Sequence, residues 1–151
     1  MAPAHRFIAV LCLAALAACG ARHVTVAPAP ASPEATVGQF LAAVNANDHG
    51  RMAALFGDEH GPSSATWRNA ARLDSILTIM QHLLVTDSAH VLGSEPAPGH
   101  VTRRLLRMDL FHGGSRATVP FTLSPQGAGG WLVKEIDLTP LMPSASRRPN
   151  P

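Results

Sequence analysis

The stretch Leu105–Leu123, LLRMDLFHGGSRATVPFTL, decides the fold that this sequence predicts. Apolar and polar residues alternate on both sides of Gly113-Gly114, a dipeptide typical of a two-residue β-hairpin turn. Side chains of a strand point alternately to the two faces of a sheet, so one face of this hairpin is apolar. The stretch therefore predicts two antiparallel strands that bury a common face, formed by Leu106, Met108, Leu110, Val119, Phe121 and Leu123.

Further strands are predicted on both sides of this hairpin. Val91 and Leu92 indicate a short strand before a turn at Glu95–Gly99, and the next strand is expected to run from Val101 to His112. A glycine-rich turn then leads to a last strand, Trp131–Leu138. Strict alternation in that strand would place Trp131 and Val133 opposite Leu132, Ile136 and Leu138.

Helices are predicted before the strands. Ser32-Pro33-Glu34 has the features of a helix start, and apolar residues then recur at helical spacing. Asp48 is suited to cap a second, short helix that ends at Gly57. Ser63 or Ser64 is expected to begin a longer helix that includes Trp67 and ends near Leu84 to Asp87. Helices followed by an antiparallel meander predict an α+β fold rather than an α/β fold.

Two segments resemble a known superfamily. Thr36–Phe56, TVGQFLAAVNANDHGRMAALF, resembles the opening helix pair of the nuclear-transport-factor-like superfamily, which shares a cystatin-like cone with ketosteroid isomerase. Gly130–Leu138, GWLVKEIDL, resembles its final strand as found in small bacterial lipoproteins of unknown function. The resemblance implies N-terminal helices packed on a curved antiparallel sheet, with a pocket at the open end of the cone.

The N-terminus has the organisation of a signal peptide. His5 and Arg6 precede the apolar run Phe7–Ala18, which would cover about 18 Å as a helix, less than the roughly 30 Å hydrocarbon core of a bilayer. Leu16-Ala17-Ala18-Cys19 resembles a lipobox, which implies lipidation of Cys19 and attachment to a membrane. An ordinary secretory signal cut near Ala18 is the alternative. By the same resemblance, Gly20 after the cysteine favours the outer membrane of a two-membrane bacterium.

These features divide the chain into four segments. We predict a lipoprotein signal peptide at 1–18, an Ala/Pro-rich tether at 19–32, an α+β domain at 33–141 and a disordered tail at 142–151. Because Cys12 leaves with the signal, Cys19 is the one cysteine of the mature chain, and no intramolecular disulfide is expected. The expected location is the cell envelope, facing the periplasm or the cell surface.

Composition excludes several functions. The chain has 151 residues, a formal charge of +2 and 15% charged residues, so no nucleic-acid partner is expected. No nucleotide-binding glycine motif or nucleophile elbow occurs, and no cofactor is expected. The histidines are scattered without ligand spacing, which predicts surface histidines and no metal site.

Catalytic candidates are few. An isomerase or hydrolase of this fold needs a carboxylate base and a donor, for which the sequence offers Asp109 and His112. These two residues are three positions apart and face opposite sides of a strand. Asp109 shares a face with Arg103 and Arg107, which favours an ion pair on an exposed or half-exposed sheet surface. The chain also contains no tyrosine that could serve as a phenolic donor.

The function expected from the sequence is therefore a non-catalytic, lipid-anchored domain that binds a small apolar ligand or a protein partner. Five residues could line its pocket or pack as core, namely Leu106, Met108, Val119, Phe121 and Trp131. One alternative is an isomerase or hydrolase that uses a polar residue of the pocket. Another is a purely structural envelope component that pairs with other chains, including a second copy of itself.

Overall fold

The structure, a computed structural model, describes residues 29–127 and 129–142. The predictions for the signal peptide, for Cys19, and for most of the tether and the tail lie outside these residues. The described chain is α+β, with helices followed by an antiparallel sheet. Its elements are α1 (Pro33–Asn45), α2 (His49–Leu55), β1 (Gly57–Asp58), β2 (Gly61–Pro62), α3 (Ser63–Thr66), α4 (Ala70–Leu84), β3 (Ser88–Pro96), β4 (Arg104–His112), β5 (Ser115–Pro125), β6 (Trp131–Ile136) and a closing 3₁₀ helix (Thr139–Leu141).

The first two helices begin where the sequence predicts. Ser32 Oγ accepts a hydrogen bond of 3.1 Å from the Ala35 N–H, and Pro33 occupies the first turn of α1. The carboxylate of Asp48 accepts one of 2.8 Å from the Arg51 N–H at the start of α2. Each cap satisfies a backbone donor that the helix itself leaves free. The predicted helix pair is confirmed.

The predicted start of the long helix is wrong. Ser63 begins only the single turn of α3, and α4 starts seven residues later with Asn69 as its cap. The reason lies in the surroundings of Ser63, which is buried and donates a hydrogen bond of 3.0 Å to the Ala53 carbonyl of α2. Trp67 consequently lies between the two helices and is partly exposed.

The main sheet has four strands in the order β3-β4-β5-β6, each antiparallel to its neighbour. The central hairpin pairs Met108 with Val119, as the alternating pattern requires. Its turn residues Gly113 and Gly114 have φ angles of 55° and 80°. Both angles are positive, as in the tight turns that match the twist of two paired strands. The central hairpin predicted from the sequence is confirmed.

The outer parts of the sheet differ from the prediction. Strand β3 is longer than expected, and β4 begins at Arg104, so that Val101 lies in the connecting loop. A bulge in β6 makes Lys134 an extra residue that has no pairing partner on β5, because Val133 pairs with Leu123 and Glu135 pairs with Thr122. Because an extra residue reverses the alternation, Val133 and Ile136 both pack against the core, and the predicted division of this strand is wrong.

The hydrophobic core fills the space between the helices and the inner face of the sheet. Four of the predicted pocket residues, Leu106, Met108, Val119 and Phe121, are buried in this core, and Trp131 packs against its margin. Their partners come from all three longer helices and include Val37, Phe40, Val44, Met52, Leu55, Leu73, Leu77 and Leu84. These contacts join helices and sheet into one packed unit.

No helix within 29–127 and 129–142 combines the length and apolar character that crossing a bilayer would require.

Replacement of Phe121 by alanine tests whether this residue packs as core. Its side chain is fully buried, so we expect Phe121→Ala to lower the free energy of unfolding by about 3–5 kcal/mol. Urea denaturation followed by circular dichroism measures this change. The control is Val101→Ala at a fully exposed position, for which we expect a change within about 0.5 kcal/mol. Equal stabilities of the two variants would contradict the packing described here.

Candidate functional site

A polar cluster lies on the outer face of the sheet, opposite the helices. Its centre is Asp109, whose side chain is only 4% exposed and receives a hydrogen bond of 2.6 Å from the Thr118 hydroxyl. The other carboxylate oxygen of Asp109 pairs with the Arg116 guanidinium. Arg116 also lies over the Phe111 ring, with 5.9 Å from Cζ to the ring centroid, and His90 meets the same ring edge-on. Long side chains thus cover a carboxylate that strand geometry alone would expose.

The environment of Asp109 keeps it ionised. The hydrogen bond from Thr118 lowers its pKa, burial acts in the opposite direction, and Arg116 lowers the pKa further. A general base is most effective when its pKa lies near the working pH, and a carboxylate with a lowered pKa is a poor one. This arrangement suits a structural ion pair.

The predicted partners of Asp109 are wrong. Arg103 pairs instead with Glu59 at 3.1 Å, and Arg107 pairs with Glu95 at 2.7 Å. The expectation of an exposed or half-exposed carboxylate is also wrong, because Asp109 is buried. The sequence does not predict the Arg116 partner, because Arg116 lies on the neighbouring strand, opposite Phe111, and reaches Asp109 diagonally across the hairpin.

A second feature is an open depression of about 290 Å³ at the end of the sheet where the β4–β5 turn lies. We call it the hairpin depression. Its walls come from the end of α4, the hairpin itself and the closing 3₁₀ helix. The lining residues are His82, Leu83, Val85, Leu110, His112, Ser115, Arg116, Ala117, Pro140 and Leu141. It thus combines apolar side chains with two histidines and a hydroxyl group.

Hydrogen bonds fix the chain beside this depression. Asn45 of α1 bonds both backbone groups of Thr86, at 2.9 Å to its carbonyl and 3.1 Å from its N–H. The Asp87 carboxylate accepts a hydrogen bond of 2.9 Å from the Gly113 N–H and lies 3.6 Å from His112 Nδ1. These bonds tie the segment after α4 to α1 and to the hairpin turn, next to two walls of the depression.

The structure does not bring the two catalytic candidates together. Asp109 lies in the outer-face cluster, whereas His112 lines the hairpin depression. Alternation along β4 separates them, as the sequence predicts. Acid–base chemistry on one substrate would need both groups within hydrogen-bond reach of the same atoms, and this pair does not provide that arrangement.

A third polar cluster lies at the opposite end of the sheet and was missed by the sequence analysis. Glu59, in the β1–β2 turn, lies 3.1 Å from the Arg103 guanidinium and 3.1 Å from the Lys134 ammonium, and the buried Ser124 hydroxyl donates to it at 3.3 Å. Hydrogen bonds from its own backbone and from Lys134 lower its pKa to about 2. The four residues come from distant parts of the chain, so no local sequence motif predicts this cluster.

Among the described residues, no three side chains of the ligating types come close enough to hold a metal ion. Asp48 caps α2, and Asp58 bonds the backbone and the ring of His60 within one turn. His49 pairs with Asp74 at 2.7 Å.

Comparison of this chain with family models, with curated proteins and with solved structures found no match in any of the three.

Replacement of Asp109 by asparagine tests the outer-face cluster. Because the folded-state pKa lies below the ordinary value of 3.8, the stabilising effect of the ionised group is complete above that value. It declines as the pH falls through the lowered pKa. We therefore expect Asp109→Asn to be less stable than the native chain at pH 7, with the difference shrinking below pH 3.8.

The measurement is urea denaturation at a series of pH values. Glu135→Gln, on an exposed residue of β6, serves as the control and should match the native chain throughout. A stability difference between Asp109→Asn and the native chain that stayed constant from pH 7 to pH 2 would show that ionisation of Asp109 contributes nothing.

Proposed function

We propose that this protein is a lipid-anchored envelope protein that binds a small apolar ligand, without catalysis, in the hairpin depression. The observation that carries the proposal is the depression itself, with Leu83, Val85, Leu110 and Leu141 among its walls. Its volume lies near the lower end of the roughly 300–1,000 Å³ typical of ligand sites, which favours a short ligand.

The chemistry of the lining supports an apolar ligand over a strongly charged one. Arg116, the one lining residue with a permanent charge, is paired with Asp109, and His112 lies beside Asp87. An anionic ligand would compete with these carboxylates. A short alkyl chain that ends in a hydroxyl group needs no such competition, and Ser115 or a histidine can bond its polar end.

The proposal of a non-catalytic role rests on the separation of the polar groups. Asp109, the one buried carboxylate among the described residues, has both oxygens engaged on the outer face of the sheet. His112 lines the depression, and no carboxylate is among the described lining residues. Asp87, which lies 3.6 Å from His112 Nδ1, accepts a hydrogen bond from the Gly113 N–H at the hairpin turn. The resemblance to nuclear-transport-factor-like proteins agrees with either binding or catalysis, so it does not decide between them.

The anchor rests on the sequence. Cys19 follows a short apolar run with the residues of a lipobox, and two or three acyl chains suffice for stable attachment to a membrane. The location that this implies is the cell envelope, with the outer membrane favoured where two membranes exist.

Titration with 1-octanol tests the binding site. We expect the amide resonances of Ala117, His112 and Leu141 in the ¹⁵N-labelled chain Gly20–Pro151 to shift and to saturate, because these residues line the depression. This form retains every described residue, including the complete core. Ala117→Phe, which fills the depression, is expected to weaken binding at least about tenfold, the effect of losing roughly 1.4 kcal/mol of binding free energy.

The matched control is Ala71→Phe, the same substitution at an exposed position of α4. It should leave octanol binding unchanged. Shifts that failed to saturate, or that persisted equally in both variants, would contradict a ligand site in the depression.

Replacement of Cys19 by serine tests the anchor. Expressed in a two-membrane bacterium, the native chain should lack residues 1–18, carry acyl mass on Cys19 and sediment with membranes. Cys19→Ser should lose the acyl mass, since serine has no sulfur to lipidate. Intact-mass spectrometry of the detergent extract measures this, with Cys12→Ser as the matched control that keeps the modification. An unmodified Cys19 in the native chain would exclude a lipid anchor.

A second candidate function is a structural role in which the chain pairs with another copy of itself, and the free edge of strand β3 favours it. Its outer edge pairs with no other strand among the described residues, and Val91 and Leu92 are about half exposed there. A free edge can accept a strand of another chain, although the bulge at Leu92 interrupts its regular pairing. In this case native mass spectrometry of the Gly20–Pro151 chain would show a dimer that Leu92→Lys converts to monomer.

A further inference from the structure

The two ends of the sheet carry different features. The hairpin depression lies at one end, next to the β4–β5 turn and the closing 3₁₀ helix. At the other end, β3 finishes at Pro96, β4 begins at Arg104, β5 finishes at Pro125 and β6 begins at Trp131. We call this second end the anchor end. Strand β4, of nine residues, separates the two ends by about 30 Å.

The N-terminal segment joins the fold at the anchor end. The carbonyl of Pro30 accepts a hydrogen bond of 3.0 Å from the N–H of Trp131, the first residue of β6. Ala29 lies so close to Gly130 that a Cβ on this glycine would come within 2.6 Å of the Ala29 Cβ. The described chain therefore begins beside the β5–β6 turn.

Cys19 is close to this entry point along the chain. Nine residues lie between it and Ala29, and the ten residue steps span at most about 36 Å when fully extended. A lipid on Cys19 would therefore hold the anchor end within about this distance of the membrane. A short tether of this kind raises the effective concentration of the lipid surface at the nearest part of the domain.

The loop between β3 and β4 presents an apolar side chain at the same end. Val101 is 100% exposed, the most exposed large hydrophobic residue among those described. Hydrogen bonds of 3.0 Å, from Ala97 N–H to the Arg103 carbonyl and from His100 N–H to the Ala97 carbonyl, close the loop beneath it. Arg103 is in turn held by Glu59 at 3.1 Å. These hydrogen bonds close the loop while the Val101 side chain remains exposed to solvent.

A single exposed valine is ordinary on a protein surface, so exposure alone does not indicate a partner. The position of Val101 is the second observation: the β3–β4 loop lies at the same end of the sheet as the start of the described chain, to which the lipid-bearing tether is joined. We propose that the tip of the β3–β4 loop, with Val101 at its centre, contacts the lipid surface, and that the hairpin depression faces away from it. This inference rests on the lipid anchor of the proposed function.

The contact combines an apolar side chain with a surplus of positive charge. Arg103 and Lys134 share the single carboxylate of Glu59, and Arg104, the first residue of β4, has no ion-pair partner among the described residues. Insertion of Val101 should occur on zwitterionic lipid, because it does not require charged headgroups. Anionic lipid should strengthen the contact, and salt should weaken that additional attraction by screening it.

The test places an environment-sensitive fluorophore at each end of the lipidated mature chain. Val101→Cys and Ser115→Cys are a matched pair of exposed positions, at the anchor end and beside the hairpin depression. In the lipidated mature chain each introduced thiol is the only free one, because Cys12 has left with the signal and the sulfur of Cys19 carries the lipid. The labelled chains are reconstituted in phosphatidylcholine vesicles, and equal urea midpoints verify that both variants fold.

We expect at least twofold higher emission at position 101 than at position 115, quenching at 101 by doxyl-labelled lipid, and quenching at 115 by aqueous iodide. Iodide quenching at both positions, with Cys19 acylated, would overturn the inference and leave the anchor intact. Lipid quenching at 115 alone would show the reverse orientation. Protection of 101 without lipid quenching would indicate a protein contact and would also overturn it. An unacylated Cys19 would remove the anchor itself, while octanol binding is measured independently.

Discussion

Burial of the inner face of the β4–β5 hairpin against the helices is the constraint on which the other features depend. Leu106 and Phe121 are paired across the hairpin and fully buried, and they contact a core that Phe40 and Val44 of α1 complete. Removing this apolar area from water is the main driving force available to a chain of this size. The helices could not stay in place without it, because α2 and α3 are too short to be stable alone.

A filled core moves the polar chemistry of the domain to the outer face and to the ends of the sheet. Asp109 alternates with core residues along β4, so its side chain points outward, where Thr118 and Arg116 supply the hydrogen bonds that its burial requires. The Glu59 cluster and the hairpin depression lie at opposite ends of the sheet. The packing that stabilises the fold thus also determines where an open depression can form.

The two ends of the sheet differ, and each has a different role in the proposals made for this protein. The chain enters at one end, beside Trp131, and the depression opens at the other. In an antiparallel meander successive turns lie at alternate ends, so the β5–β6 turn is opposite the β4–β5 turn. The hydrogen bond from the Trp131 N–H to the Pro30 carbonyl then places the start of the described chain at the β5–β6 end. A lipid on the entering segment would then hold one end at a membrane and leave the other accessible to solutes.

The sequence by itself determined the helix pair, the central hairpin and its buried face, because caps, glycine turns and alternation act between residues that are close along the chain. It also separated Asp109 from His112, since strand alternation is a local rule. Only the tertiary structure decided which partners Asp109 has, that Glu59 meets Arg103 and Lys134, and that a bulge turns Ile136 to the core. These outcomes depend on register and on contacts between distant segments, and no local pattern encodes the distance across a sheet.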